Sequence, residues 1–437
     1  MKRPEKSGRV KETAAPARIK NAGPFAPAEN TATNTGKTMG KLIKEYSRAT
    51  DWVYLALCVA CSVLSVLTLI SIGTYNLGGF DTDMGSITGL GGYRGALVQA
   101  IASLLGVACA ILLSCIDYRA MVDAWPFHVA GAWGLVALTF LKVNLGPVSL
   151  GYAPGSTDNY SWIRVGPLSL QPTELAKISF ILTFAMHLDM VKNELNEPKT
   201  LAKLLAHMAV PVLLVHIQGD DGTAIVFACI GCMMMFVAGL SWRYIAGAVC
   251  AGVTALAVAV GFFPDKIFKN YQYQRIMALF HMEDPAYADI TLQQNKGLIS
   301  IGAGRIFGRG MFNEYHNYVP KAENDFIFSY IAESIGFVGC VLVLGALFAV
   351  AIKTLTTGLR SQDKLGTYIC TGVFAAMAWQ IIINLGMNLA VLPVIGVTLP
   401  FFSAGGSSVV MMYLCVGIVL SVGMNTRRSK LDMQRII

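Results

Sequence analysis

The sequence predicts an all-α polytopic membrane protein of about ten transmembrane helices, on three observations: the composition, the uncharged runs, and the side on which positive charge gathers. Of 437 residues, 54% are apolar and 14% charged, where an average soluble domain has roughly 45–50% and 25%. A soluble chain of this length needs a charged surface over its cores. The 34 Lys+Arg and 26 Asp+Glu are too few for that and are bunched between long uncharged stretches. An ordinary cytosolic enzyme is excluded.

A bilayer core of ~30 Å takes roughly 20 helical residues at 1.5 Å each. Ten runs qualify: 52–74, 95–116, 124–141, 171–188, 204–218, 222–242, 244–263, 326–352, 366–392 and 406–424. The fifth is short and contains Pro211, but without it the positive charges would change sides halfway along. The tails and alternate loops hold 23 Lys/Arg against ten in the opposite loops. Seven of those ten lie in one long loop, 264–324, and long loops obey the positive-inside rule poorly. Both termini are therefore predicted cytoplasmic, with the long loop outside, between spans seven and eight.

Residues 1–38 have no apolar period and read as a basic, disordered cytoplasmic tail. They are too polar for a cleavable signal peptide, so the first apolar run reads as an uncleaved signal anchor. In 39–51, Met39, Leu42, Ile43 and Tyr46 oppose Lys41, Lys44 and Arg48, as in a juxtamembrane amphipathic segment or an extension of the first span. Residues 52–424 form the membrane domain, and 425–437 a second basic tail. The net charge of +8 resides almost wholly in the first fifty residues. It describes a tail on an anionic membrane surface and gives no case for nucleic acid.

All ten cysteines fall in apolar runs, where Cys acts as a small hydrophobe, so no disulfide framework is expected. Cys58/Cys61 and Cys229/Cys232 have CxxC spacing but no turn or His beside them, and no zinc-type His pattern exists, so no metal site is predicted. No cytoplasmic loop exceeds about fifteen residues, and no GxxxxGK is present. ATP is not the energy source. Chemistry is expected at the outer face, where a loop of some sixty residues without predicted structure invites function.

Ionisable groups inside spans are functional hypotheses, and Glu174, Lys177 and Glu333 are of this kind. Glu174 and Lys177, three apart, share a helix face and can pair, either to fix packing or to serve a site. Ahead of them Ser161–Gly166 reads as an interfacial stretch, with Trp162 anchoring, Arg164 free to meet a phosphate and Pro172 in the first helical turn. The hinge QGDDGT, 218–223, is a solvated turn or part of an outer site. Residues 292–310 mix five glycines with Lys296, Arg305 and Arg309, giving backbone that approaches a ligand and cations suited to phosphate. Asp325 begins the eighth span, as a helix N-cap or as an acid at the mouth of a cavity. In 384–408 two prolines and Gly405-Gly406-Ser407-Ser408 break the outer backbone, which reads as a wall of the site.

Taken together, these stretches resemble the SEDS family (shape, elongation, division and sporulation), the RodA/FtsW/SpoVE-like peptidoglycan glycosyltransferases. The likeness runs over about 52–424 and rests on WIRVGPLSLQPTELAK, IGAGRIFGRG, DFIF with AESIGFVG, and NLGMNLAVLPVIGVTLPFFSAGGSS. It implies ten spans in the bacterial cytoplasmic membrane, an outward cavity, and ATP-independent polymerisation of lipid II with release of undecaprenyl diphosphate. It also implies a partner, a class B penicillin-binding transpeptidase. The family's catalytic aspartate falls on Asp325, and the Glu and Lys of its fourth span on Glu174 and Lys177. Three positions depart: Glu323-Asn324 stand for His-Thr, QGDDGT for Q-P-D-x-G-T, and Ser161 for an Arg.

The implied inverting displacement needs one base, Asp325, and cations for the leaving diphosphate, for which Arg164, Lys177, Arg305 and Arg309 are candidates. Glu174 and Ser407 complete the expected substrate-binding set. A divalent cation could share the task of meeting the diphosphate charge, but the sequence offers no dedicated ligand set for it. A transporter (flippase) of lipid-linked precursors is the alternative, since it would use the same cavity and charges; a scaffold for the transpeptidase is the third reading.

Overall fold

The computed structural model describes residues 44–75, 91–153, 159–166, 168–262 and 270–436. The predicted tail 1–38 and residues 39–43 of the juxtamembrane segment lie outside them, while 44–48 are helical and belong to a unit separate from Ala49–Ile437.

Each of the ten apolar runs is a helix: α1 (Trp52–Thr74), α2 (Arg94–Ser114), α4 (Trp125–Thr139), α5 (Pro172–Met190), α6 (Pro198–Ile217), α7 (Asp221–Ala238), α8 (Trp242–Phe262), α11 (Ile327–Leu359), α12 (Lys364–Asn388) and α13 (Gly406–Ile436). A short α3 (Tyr118–Asp123) precedes α4. Among the described residues, seven helices are long and apolar enough to cross a membrane; α4, at 15 residues, is not one of them. Helix starts follow local chemistry. Asp51, Asp220 and Asp363 cap α1, α7 and α12 by accepting from Tyr54 N, Thr223 N and Gly366 N, while proline opens α5 and α6 where no amide N–H is needed.

Helices pack through small residues and buried hydroxyls, as expected where lipid removes the hydrophobic drive between them. Gly106 of α2 lies against the Tyr413 ring of α13, and Gly417 against the Ala110 backbone. Tyr54 bonds Thr354 and Ser62 bonds Tyr413, each at 2.8 Å, tying α1 to α11 and to α13.

The fold is predominantly helical, as the sequence predicts, and three features add to that reading. A four-stranded antiparallel meander of β1 (Asn144–Leu145), β2 (Val148–Tyr152), β3 (Trp162–Val165) and β4 (Leu168–Leu170) joins α4 to α5, so the fold is not purely helical. The predicted interfacial stretch is β3, whose aromatic and β-branched residues pair on both edges. The long loop predicted to lie outside is not structureless, because α9 (Asn270–Phe280) and α10 (Ala288–Ala303) fill much of it. Finally, α11 is broken at Gly336, with φ 67° and ψ −170°.

Candidate active site

The segment Glu323-Asn324-Asp325 leads into α11, and each of its three carbonyls is held by the chain's C-terminal third. Ala404 N donates to Glu323 O at 2.8 Å and Ser403 Oγ to Asn324 O at 2.7 Å. Asp325 O accepts from Asn384 Nδ2 and Asn388 Nδ2, both at 2.9 Å. These two amides are one turn apart on one face of α12. Asn384 also donates to Val397 O at 2.8 Å, and Asn388 Oδ1 accepts from Ser329 Oγ at 2.8 Å. The irregular stretch between α12 and α13 is fastened in turn by Ser65 Oγ to Phe402 O, 2.7 Å, and Gln99 Nε2 to Phe401 O, 3.1 Å. The three backbone carbonyls leading into α11 are thus all satisfied.

Its side chain is treated differently. The N-cap position of α11 is Phe326, with no side-chain cap bond, so the cap reading of Asp325 fails. Among the described residues no donor bonds its carboxyl, which faces Gly396 of the irregular wall, Oδ2 lying 3.8 Å from where a Cβ would stand. Burial pushes the carboxyl above the ordinary carboxylate range. Asp220 and Glu323 push the same way, while Lys321 and Arg275 oppose.

Asp220 connects this acid to the pair on α5. Its Oδ1 accepts from Thr223 N at 3.2 Å and its Oδ2 from Gln171 Nε2 at 2.7 Å. Burial raises it as well; beyond its bonds to Thr223, it feels Glu174, which raises it, and Lys177, which lowers it. Lys177 Nζ donates to Glu174 Oε1 at 2.8 Å, both side chains 6% exposed. With the Gln380 amide oriented to satisfy both its atoms, its oxygen accepts from Nζ at 3.1 Å. Glu174, Lys177, Asp220 and Asp325 therefore form one electrostatically linked group.

The other predicted site residues stand elsewhere. Arg164, expected to be free, donates from Nε to Gly166 O at 3.3 Å and lies 5.3 Å over the Tyr152 ring. Arg309 is committed to Glu333 Oε1 at 3.1 Å and Tyr315 O at 3.2 Å. Arg305 is exposed, and its carbonyl accepts from Phe337 N at 2.9 Å. Ser407 is half-buried in the first turn of α13. The cations whose field reaches Asp325 are Lys321 and Arg275, both missed from the sequence. Lys321, four residues before Asp325, could have been suspected from spacing. Arg275 gave no such signal; it sits on α9 and reaches the wall by donating from Nη1 to Val394 O at 2.9 Å. Among the described residues no cluster of three or more His, Cys, Asp or Glu could hold a metal ion, so no step is routed through one.

The family model described as cell cycle protein, the FtsW, RodA and SpoVE group, matches residues 51–428. The chain belongs to that family. Similar FtsW/RodA/SpoVE members include a probable peptidoglycan glycosyltransferase FtsW of Geobacter metallireducens, 30% identical over 74% of this chain and 83% of that one. Peptidoglycan glycosyltransferase MrdB of Escherichia coli K12 is 33% identical over 62% and 72%. Stage V sporulation protein E of Bacillus subtilis is 31% identical over 70% and 82%. In fold, the chain is similar to one from a peptidoglycan synthase complex that coordinates polymerization and crosslinking, with TM-score 0.67, 24% identity, and 86% of this chain and 98% of that one covered. It is also similar to the rod shape determining protein RodA of Thermus thermophilus, with TM-score 0.56, 24% identity and coverage of 86% and 96%. A family member with seven membrane-length apolar helices is a multi-pass protein of a bacterial membrane.

Proposed function

We propose that this protein polymerises lipid II into glycan strands at the outer face of the membrane. The observation that carries the reading is the contrast within Asp325: its backbone is locked by two buried amides while its carboxyl caps no helix and has no donor among the described residues. That is how a general base is presented, fixed in place and open on its reactive side. The names of the relatives supply the reaction class.

The C4 hydroxyl of an acceptor lipid II attacks C1 of the donor glycan, and Asp325 takes the hydroxyl proton as the new C–O bond forms. The bond from C1 to the diphosphate breaks, its electron pair leaving with undecaprenyl diphosphate. Burial that raises the Asp325 carboxyl makes its ionised form the stronger base. Lys321 and Arg275, whose charges act on Asp325, are our candidates to meet the diphosphate charge, ahead of Arg164, Arg305 and Arg309. Lys177 acts from within its pair with Glu174, through Asp220. The likeness to a chain of a synthase complex supports a class B penicillin-binding transpeptidase as partner.

The test is purified protein with its transpeptidase and labelled lipid II in detergent. Polymer formation is expected. A transporter would make none, because detergent leaves no bilayer to cross, and that result would overturn the reading.

A further inference from the structure

Glu333 is an intramembrane carboxylate that the proposed reaction does not use. Its side chain is 0% exposed, and it collects donors from three segments outside α11. Ser300 Oγ of α10 donates at 2.6 Å and Arg309 Nη1 at 3.1 Å. Asn317 donates its backbone N–H at 3.0 and 3.2 Å to the two oxygens, and its Nδ2 at 2.8 Å.

The glycine-rich stretch expected to cradle a ligand instead fills the break in α11. Arg309 N and Gly310 N donate to Glu333 O and Ser334 O at 2.8 and 2.9 Å, and Phe337 N and Val338 N to Arg305 O and Ile306 O at 2.9 and 3.1 Å. A Cβ on Gly304 would stand 1.9 Å from Ala332 O, and one on Gly308 2.3 Å from Ser334 O, so only glycine permits the approach. The first part of α11, which Asp325 precedes, loses its helical continuity at Gly336, and its placement rests on what holds its two ends.

Asn317 and Glu333 are sixteen residues apart, and Asp325 lies midway between them. One carboxylate thus closes a loop with Asp325 at its apex and Lys321 on its incoming arm. A break could be sealed by apolar side chains without burying a charge. We propose that Glu333 is a positioning residue: by joining the two arms at 317 and 333, it fixes where Asp325 and Lys321 stand. The proposal rests on the polymerase reading.

The experiment uses the full chain with its transpeptidase, labelled lipid II, and hydrogen exchange of 311–325. Glu333→Gln keeps the size but turns an amide donor toward donors. Asn317→Ala removes one bond and leaves the carboxylate. For Glu333→Gln, exchange should quicken in 311–325, kcat should fall about tenfold or more, and KM should stay within about twofold, since misplacing a reacting group acts on the rate. Asn317→Ala should move in the same direction by less, and it decides the matter if Glu333→Gln does not fold. Unchanged kcat in either folded variant with quickened exchange overturns the positioning role, as does exchange that quickens throughout the chain with kcat and KM changing together. Wild-type protein that makes no polymer overturns the underlying reading, and is seen before any variant is compared.

Discussion

Two aspartates at the predicted cytoplasmic end and two at the outer end occupy the same kind of position, a helix start, and are treated in opposite ways. Asp51 caps α1 and is met by Lys353 and Arg427, each at 3.1 Å. Asp363 caps α12 and is met by Tyr118 Oη at 2.8 Å and Arg119 Nη2 at 2.6 Å. Burial pushes both carboxyls up, but the backbone donors and cations outweigh it and hold them below the ordinary range. At the outer end burial wins. Asp220 keeps its cap yet is raised, and Asp325, which among the described residues has neither cap nor donor, is raised as well. Asp51 and Asp363 are held by backbone donors and cations, whereas the Asp325 carboxyl is open while its backbone is clamped, the arrangement the proposed base requires.

The largest effect should separate the two ends in rate. Asp325→Asn should cut polymerisation of labelled lipid II by about 10²- to 10⁴-fold, the usual worth of a general base. Asp363→Asn should leave the rate of folded protein near wild type. Equal losses would erase the contrast.

The α5 pair gives the next effect, in stability. Lys177→Met leaves Glu174 buried without its partner and should cost about 3–5 kcal/mol in thermal or denaturant unfolding. Glu174→Leu with Lys177→Met should recover most of that. Full polymer synthesis by the well-folded double variant would remove both residues from the site.

A smaller effect is expected from the cytoplasmic cap. Asp363→Ala should cost about 0.5–2 kcal/mol, read from the unfolding midpoint, with surface pairing to Arg119 adding little.

The pH response should sharpen the same contrast. Asp51 and Asp363, held below their ordinary value of 3.8, contribute stability at neutral pH that is lost as pH falls through their lowered folded values. Asp220 and Asp325 are raised, so the folded state binds their protons more readily, and their contribution improves as pH falls through values above 3.8. On acidification the polymerisation rate should therefore decline, as Asp325 gains its proton, before the melting temperature does. A rate and a melting temperature that fall together would contradict this order.

Much of this was legible in the sequence for a physical reason. Apolar runs of bilayer length are local, and all ten are helices. Glu174 and Lys177 pair because i,i+3 spacing alone puts them on one face. The meander was not legible, since strands of two to five residues carry too few alternations to register. The Gly-rich stretch was read as a ligand cradle because glycine signals close approach without naming what approaches; here it is the α11 backbone. Arg275 acts on Asp325 only once α9 packs near the wall, a long-range fact, whereas Lys321 lies four residues away and was open to suspicion from spacing. Whether Asp325 caps its helix turned on a one-residue shift of the helix start, which composition does not encode.

The contrast is tested most directly by melting Asp325→Ala beside Asp363→Ala at pH 7. With its half-buried carboxyl raised above the ordinary range and bonded by no donor among the described residues, Asp325 contributes nothing to folding there, so Asp325→Ala should melt close to wild type while Asp363→Ala melts below it. If Asp325→Ala instead melts lower by as much as Asp363→Ala, Asp325 is a structural acid like the other, and its assignment as the base is wrong.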